Sequence, residues 1–104
     1  MDIKMLNSSF GNADLILIDQ ILKNRFQRHT RILDAGCGEG RNMTFFINNG
    51  YNIYGIDTNP DAVRMARIYC KSLNKDYEVE QIQKFPIENN PFPDNFFDAI
   101  ICIN

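Results

Sequence analysis

Apolar residues recur at helical spacing in the segment NADLILIDQILKNRF, with Leu15, Ile18, Leu22 and Phe26 on one stripe and Asn12 placed to cap its start. That pattern predicts an amphipathic helix lying against a sheet. The run Arg31-Ile32-Leu33-Asp34 is short, apolar in its middle and closed by glycines, which suits a buried strand ending at Asp34. In RNMTFFINNG, Met43, Phe46 and Ile47 share a helical face and Gly50 stands where a helix would end. A second strand, YNIYGID, ends at Asp57.

The next segment, TNPDAVRMARIYCKSLN, carries the clearest helix start in the chain. Asn59 is the N-cap, Pro60 takes the first helical position and Asp61 complements the dipole in the first turn. Ala62, Ala66, Tyr69 and Leu73 form its expected apolar stripe, and Asn74 closes it. YEVEQI reads as a third strand, with Tyr77, Val79 and Ile82 as its apolar positions. Pro86, Pro91 and Pro93 then exclude a regular element and mark an ordered loop, before FFDAIICIN reads as a fourth, fully buried strand.

Helices alternating with strands predict a parallel sheet with helices on its faces and right-handed crossovers. In such sheets ligands bind outside the carboxyl ends of the strands. Those ends are Asp34 with its glycines, Asp57, the loop after Ile82, and Asn104.

Composition narrows the picture. With 104 residues the chain suffices for one small domain, read as 1–104, and 44% hydrophobic content is that of a globular protein. Eleven basic against 13 acidic residues give a net charge of -2, with no basic tract to follow a phosphate backbone. Nucleic acid is therefore not expected as a partner. No apolar run approaches the ~20 residues of a membrane span, so no membrane partner is expected and a cytoplasmic location is the default. Cys37, Cys70 and Cys102 form neither a CxxC nor a Cys/His cluster, which suggests reduced thiols and no metal site.

The candidate chemistry lies in RILDAGCGEGRN. Gly36, Gly38 and Gly40 follow the first strand directly, where a Cβ would block both the left-handed turn and a ligand's approach. Asp57 ends the strand expected beside it and can accept hydrogen bonds from both hydroxyls of a ribose. Together they read as a nucleoside site. The dinucleotide pattern GxGxxG fails because Arg41 stands at its third glycine, and no GxxxxGK[ST] phosphate loop is present.

LDAGCGEGRN resembles motif I of the class I S-adenosylmethionine-dependent methyltransferases, YGIDTNPDAV resembles their second motif, and NPFPDNFFDAIICIN is similar to the segment leading into their fourth strand. The resemblance covers nearly the whole chain. It implies a Rossmann-like α/β fold with parallel strand order 3-2-1-4 and flanking helices, truncated relative to the family's seven strands. It implies S-adenosylmethionine as cofactor, with Asp34, Gly36, Cys37, Gly38 and Gly40 lining its methionine and ribose parts, Asp57 holding the ribose hydroxyls and Thr58 under the adenine edge. An acid that many relatives carry five positions before Pro91-Phe92 is replaced here by Pro86, leaving Ile87 as an apolar contact to adenine.

The implied reaction is methyl transfer to a small-molecule acceptor that the sequence does not identify. Two alternatives stay open: a non-catalytic or split cofactor-binding module, and an NAD-dependent oxidoreductase. A sheet stopping after the fourth strand would expose the apolar edge 97–104, which either further sequence or a partner chain would have to cover. His29 reads as a surface residue and Cys37 as a small loop residue with no nucleophilic role.

Overall fold

In a computed structural model, which describes residues 14–23, 26–27 and 29–103, four parallel strands run in the order β3-β2-β1-β4. They are β1 (Arg31–Ala35), β2 (Asn52–Asp57), β3 (Ile82–Lys84) and β4 (Ala99–Ile101). The expected order 3-2-1-4 is thus observed. Among the described residues three α-helices accompany them, α1 (Leu15–Leu22), α2 (Thr44–Asn48) and α3 (Pro60–Leu73). No helix among the described residues is long and apolar enough to cross a membrane.

The register brings the loop ends of β1 and β2 side by side, with Asp34 opposite Gly55 and Ala35 opposite Ile56. On one face of the sheet Ile32, Ile53, Ile82 and Ile101 meet Leu17 of α1, Phe46 and Ile47 of α2, and Val63, Ala66 and Cys70 of α3 in a single core. On the other face Leu33, Ala35 and Ile56 are covered by Tyr54, Phe85, Phe92 and Phe97. All three helices therefore share one face, and the proline-rich loop with its aromatic side chains closes the other.

The start of α3 follows the sequence closely: Asn59 accepts from the backbone N–H groups of Asp61 and Ala62, and Pro60 opens the helix. Met43, Phe46 and Ile47 are all buried, and Gly50 turns the chain at φ +72° after α2.

Several expectations need correction. Helix α1 stops at Leu22 and is capped by Asp14, whose carboxylate accepts from Ile16 and Leu17; the expected cap, Asn12, lies outside the described residues. Among its described side chains Leu17 is buried in the core and Ile21 packs against it, neither of them on the expected stripe, while Phe26 of that stripe packs there as well. In α3 Ala66, Tyr69 and Leu73 of the expected stripe pack in or against the core, but Val63 and Cys70 are buried beside Ala66 where Ala62 was expected. The third strand does not begin at Tyr77. Tyr77 instead turns inward to donate its hydroxyl to Ile53 O at 2.7 Å, Val79–Gln81 form a 3-10 turn, and pairing starts only at Ile82.

Strand β4 is shorter than FFDAIICIN and alternates where full burial was expected, with Ile101 buried and Ile100 64% exposed. Ile100 pairs with Leu33 on the face where, among the described residues, no helix packs and the aromatic loop lies. The strand is fixed at its start by Asp98, whose N–H donates to Arg31 O at 2.8 Å and whose carboxylate accepts from Arg31 N at 2.9 Å. Asn104 lies outside the described residues.

The cap of α3 makes a direct test of how much that helix start contributes. Asn59→Ala removes the acceptor for two N–H groups and is expected to cost about 1 kcal/mol in urea unfolding, with the far-ultraviolet spectrum unchanged.

Candidate functional site

The turn from β1 into the segment before α2 is made by three glycines in the left-handed region, Gly36 at φ +79°, Gly38 at +56° and Gly40 at +92°. Their amides do not float. Gly36 N and Cys37 N both donate to Ile56 O, at 2.8 and 2.9 Å, so the loop begins tied to the end of β2. Gly38 N then donates to Asp57 Oδ2 at 2.9 Å, while Asp57 Oδ1 accepts from Asn59 N at 2.9 Å. Two backbone donors thus orient the Asp57 carboxylate, and each oxygen keeps acceptor capacity for a further hydroxyl.

The glycines differ in what surrounds them. A Cβ on Gly38 would meet nothing within 4 Å, so that side of the loop faces open space. On Gly40 it would touch Tyr69, Ala66 and Cys70 of α3 at 3.4 to 3.5 Å. Gly55 of β2 has no left-handed turn to make, yet a Cβ there would come within 3.0 Å of Cys37 Sγ and 3.2 Å of Met43 Sδ. Close packing beneath the loop, and not only its turns, requires glycine.

Beside this loop, at the carboxyl ends of β2 and β3, lies a cleft of about 290 Å³ lined by Gly36, Asp57, Thr58, Phe85, Pro86, Ile87 and Glu88. Four residues expected from sequence, Gly36, Asp57, Thr58 and Ile87, come together there. Gly38 touches the cleft only through its bond to Asp57. Asp34, Cys37 and Gly40 are buried below the loop and line no part of it. A larger hollow of about 500 Å³ lies along the outer side of α3, between Arg67, Ile68, Lys71, Ser72 and Val79, but holds no carboxylate and none of the strand ends.

Glu88 and Phe85 are the lining residues that sequence reasoning missed. The sequence does contain the signal for Glu88, an acid within the short loop that leaves the third strand, two positions beyond Pro86. A 3-10 turn over Ile87–Asn89 carries it to the cleft.

Asp34 is 1% exposed, and neither of its carboxylate oxygens has a hydrogen-bond partner among the described residues. Burial pushes its carboxyl up to about 7; Arg41 pulls it down, and Asp57 raises it further. Burial likewise pushes the Cys37 and Cys70 thiols up to about 12, with the Asp34 charge adding to both. Cys37 is thereby a neutral packing residue and no nucleophile, as its sequence context suggested. No group of three or more His, Cys, Asp or Glu side chains among the described residues is arranged to hold a metal ion.

Comparison with known proteins gives a consistent picture. The profile of the family described as Methyltransferase domain matches residues 33–104. A ubiquinone biosynthesis O-methyltransferase of Xylella fastidiosa (strain M23) is 30% identical over 90 residues, which is 85% of this chain and 35% of that protein. Among solved structures, the YcgJ protein from Bacillus subtilis superimposes with a TM-score of 0.67 at 27% identity, over 83% of this chain and 36% of its own. An SAM-dependent methyltransferase from Methanosarcina mazei does so with a TM-score of 0.60 at 28% identity, over 77% and 39%. The chain spans about a third of the length of the curated relatives it matches.

Two measurements check the site's energetics. Gly55→Ala, which has to displace Cys37 and Met43, is expected to cost about 1–3 kcal/mol, whereas Gly38→Ala, with open space for its Cβ, should cost about 1–2 kcal/mol from backbone strain alone. A larger loss at Gly38 than at Gly55 in urea titrations would contradict the packing described. For Asp34, the unfolded chain gives up the carboxyl proton near pH 4 while the folded chain holds it to about pH 7. The unfolded state then binds fewer protons across that window, so this group's contribution makes stability fall as pH rises from about 4 to 7 and stay level above. Asp34→Asn should accordingly match wild type within about 1 kcal/mol at pH 4 and exceed it by about 2–4 kcal/mol at pH 8. The same stability difference at both pH values would show that this carboxyl is not raised.

Proposed function

The chain belongs to the methyltransferase-domain family, among the class I S-adenosylmethionine-dependent methyltransferases, and from that membership we propose that it binds S-adenosylmethionine across the ends of β1 and β2 and serves direct methyl transfer to a small-molecule acceptor. The observation that carries the reading is the Asp57 carboxylate, aimed by Gly38 N and Asn59 N at 2.9 Å each beside a cleft of nucleoside size.

The residues fit the cofactor by their chemistry. A nucleoside without phosphate asks for no cationic nest, and among the described residues the cleft lining contains no lysine or arginine. Asp57 is to accept the ribose hydroxyls on its remaining lone pairs. Phe85, Pro86 and Ile87 offer apolar surface to the flat faces of adenine, and Glu88 is to take the exocyclic amine in place of the acid that position 86 lacks. The glycine loop, with open space at Gly38, lets backbone approach the methionine end.

When bound, S-adenosylmethionine supplies a methyl group on a positively charged sulfur, already reactive toward a nucleophile. The chain's task is then to orient and to keep water out. Asp57 fixes the ribose and so the direction of the tail, while the rigid tie of Gly36 and Cys37 to Ile56 O holds the loop in place. A small-molecule acceptor is in keeping with the relatives named for ubiquinone biosynthesis and with the lack of a basic tract. A cytoplasmic setting is supported by Cys37, Cys70 and Cys102, all free thiols.

Calorimetric titration tests the reading. S-adenosylmethionine should bind in preference to NAD, and Asp57→Asn should weaken it at least about tenfold by removing half of the acceptor pair for the ribose. Preference for NAD, or full affinity in Asp57→Asn, would refute the assignment. Glu88→Gln should lower the preference for adenine over hypoxanthine nucleosides while leaving ribose recognition intact.

A further inference from the structure

The hollow of about 500 Å³ along the outer side of α3 shares no residue with the donor cleft. One wall is α3 itself, through Arg67, Ile68, Lys71 and Ser72, and the other is the segment leading into β3, through Val79. Ile68 is 59% exposed there, a large apolar side chain between two cations. The volume falls within the range of small-molecule sites, about 300–1,000 Å³.

Both cations are pinned across the hollow. Arg67 Nε and Nη2 donate to Ile82 O, at 2.9 and 2.7 Å, and Lys71 Nζ donates to Tyr77 O at 3.2 Å. Those carbonyls fix the two heads but do not neutralise them. Among the described residues neither head has a carboxylate partner: Asp61 is paired with Arg64, and Glu78 and Glu80, on either side of Val79, line no part of the hollow. Like charges one helical turn apart weaken a helix, so the pair is a cost to α3 that an anion lying between them would relieve. Pinning also removes in advance much of the side-chain freedom that binding would otherwise take away. Each head keeps further N–H groups to donate. Ser72 adds no donor, because its hydroxyl already donates to Tyr69 O.

We propose that this hollow is a second binding site, for a small amphiphilic anion: a carboxylate or phosphate head sits between Arg67 and Lys71, and an apolar body lies along Ile68, Val79 and the methylene stems of the two cations. A bare inorganic anion would leave Ile68 and Val79 in water, and a neutral apolar molecule would leave the cations uncompensated. Only a molecule with both parts uses the whole site. A membrane surface fits less well, since the exposed acids Asp76, Glu78 and Glu80 stand on the same segment as Val79 and would meet its anionic headgroups. The site is independent of donor binding.

The probes are decanoate and decyl phosphate below their micelle-forming concentrations, titrated into the whole chain, with decanol, acetate and inorganic phosphate as controls. At least one probe should bind at or below about 1 mM, about tenfold or more tighter than every control. Amide resonances of residues 67–72 and 77–82 should shift, and S-adenosylmethionine should not displace the probe. Ile68→Glu, at a largely exposed position, and Lys71→Met, which keeps the stem and removes the charge, should each weaken the probe about tenfold while the unfolding midpoint stays close to wild type. Failure of both probes to bind, decanol binding as tightly as decanoate, or unchanged affinity in both variants would overturn the site. Displacement by S-adenosylmethionine would overturn it too, placing the probe in the donor cleft. Cosedimentation with phosphatidylglycerol vesicles, or a dimer of the free chain, that Ile68→Glu abolishes would assign the hollow to a membrane or to a second copy and overturn the proposal.

Discussion

The Asp57 carboxylate holds the organisation of this domain's working end in two hydrogen bonds. One reaches back across the sheet to Gly38 in the loop after β1; the other reaches forward to Asn59, which caps α3. Strand end, glycine loop and helix start are thereby fixed relative to each other by one side chain. Ile56 O reinforces the tie by accepting from both Gly36 and Cys37. A loop rich in glycine would lose much entropy on ordering. Here it is ordered by a residue that also faces the cleft, so ordering the loop and orienting the cleft's carboxylate are a single event.

The same tie limits what may stand beneath the loop. Cys37 Sγ, Met43 Sδ and the backbone of Gly55 are packed closely enough that no Cβ fits, and Gly40 rests against α3. Asp34 is the exception to this apolar filling. It stands among Ile32, Leu33 and Ala35 with both carboxylate oxygens lacking a partner among the described residues, a placement that costs stability.

Much of this was legible in the chain. The order of elements, the strand order, the Asn59-Pro60 helix start and the pairing of a glycine loop with Asp57 depend on local spacing and turn chemistry, which sequence displays directly. What stayed hidden depends on tertiary contact. Tyr77 and Val79 have the look of a strand, yet the buried carbonyl of Ile53 draws the Tyr77 hydroxyl inward and Gln81 joins it there, so pairing is delayed to Ile82. In FFDAIICIN the run of apolar residues suggested burial on both faces, but among the described residues the helices pack on one face, and Ile100 is 64% exposed. The core positions that periodicity did not single out, Leu17, Val63 and Cys70, have the same origin: they are chosen by where the helices dock, and several stripes on each sequence would have satisfied helical periodicity. Glu88 was hidden because the position where an acid was expected holds Pro86, and only the 3-10 turn over Ile87–Asn89 brings the acid two residues further on to the cleft.

The attachment of β4 has a kinetic meaning. Asp98 joins Arg31 across 67 positions of chain, whereas β1 and β2 are joined through a short loop and one brief helix, and the β4 ladder that follows spans only three residue pairs. Closing so long a loop for so few contacts makes β4 the natural last strand to zip and first to fray. Opening it would uncover Leu33 and the rings of Phe92 and Phe97 while Asp57, Gly38 and the helix start of α3 kept their places. By this argument the tie of Asp57 to Gly38 and Asn59 lies in the part of the molecule closed by the shorter loops, away from the strand most prone to open.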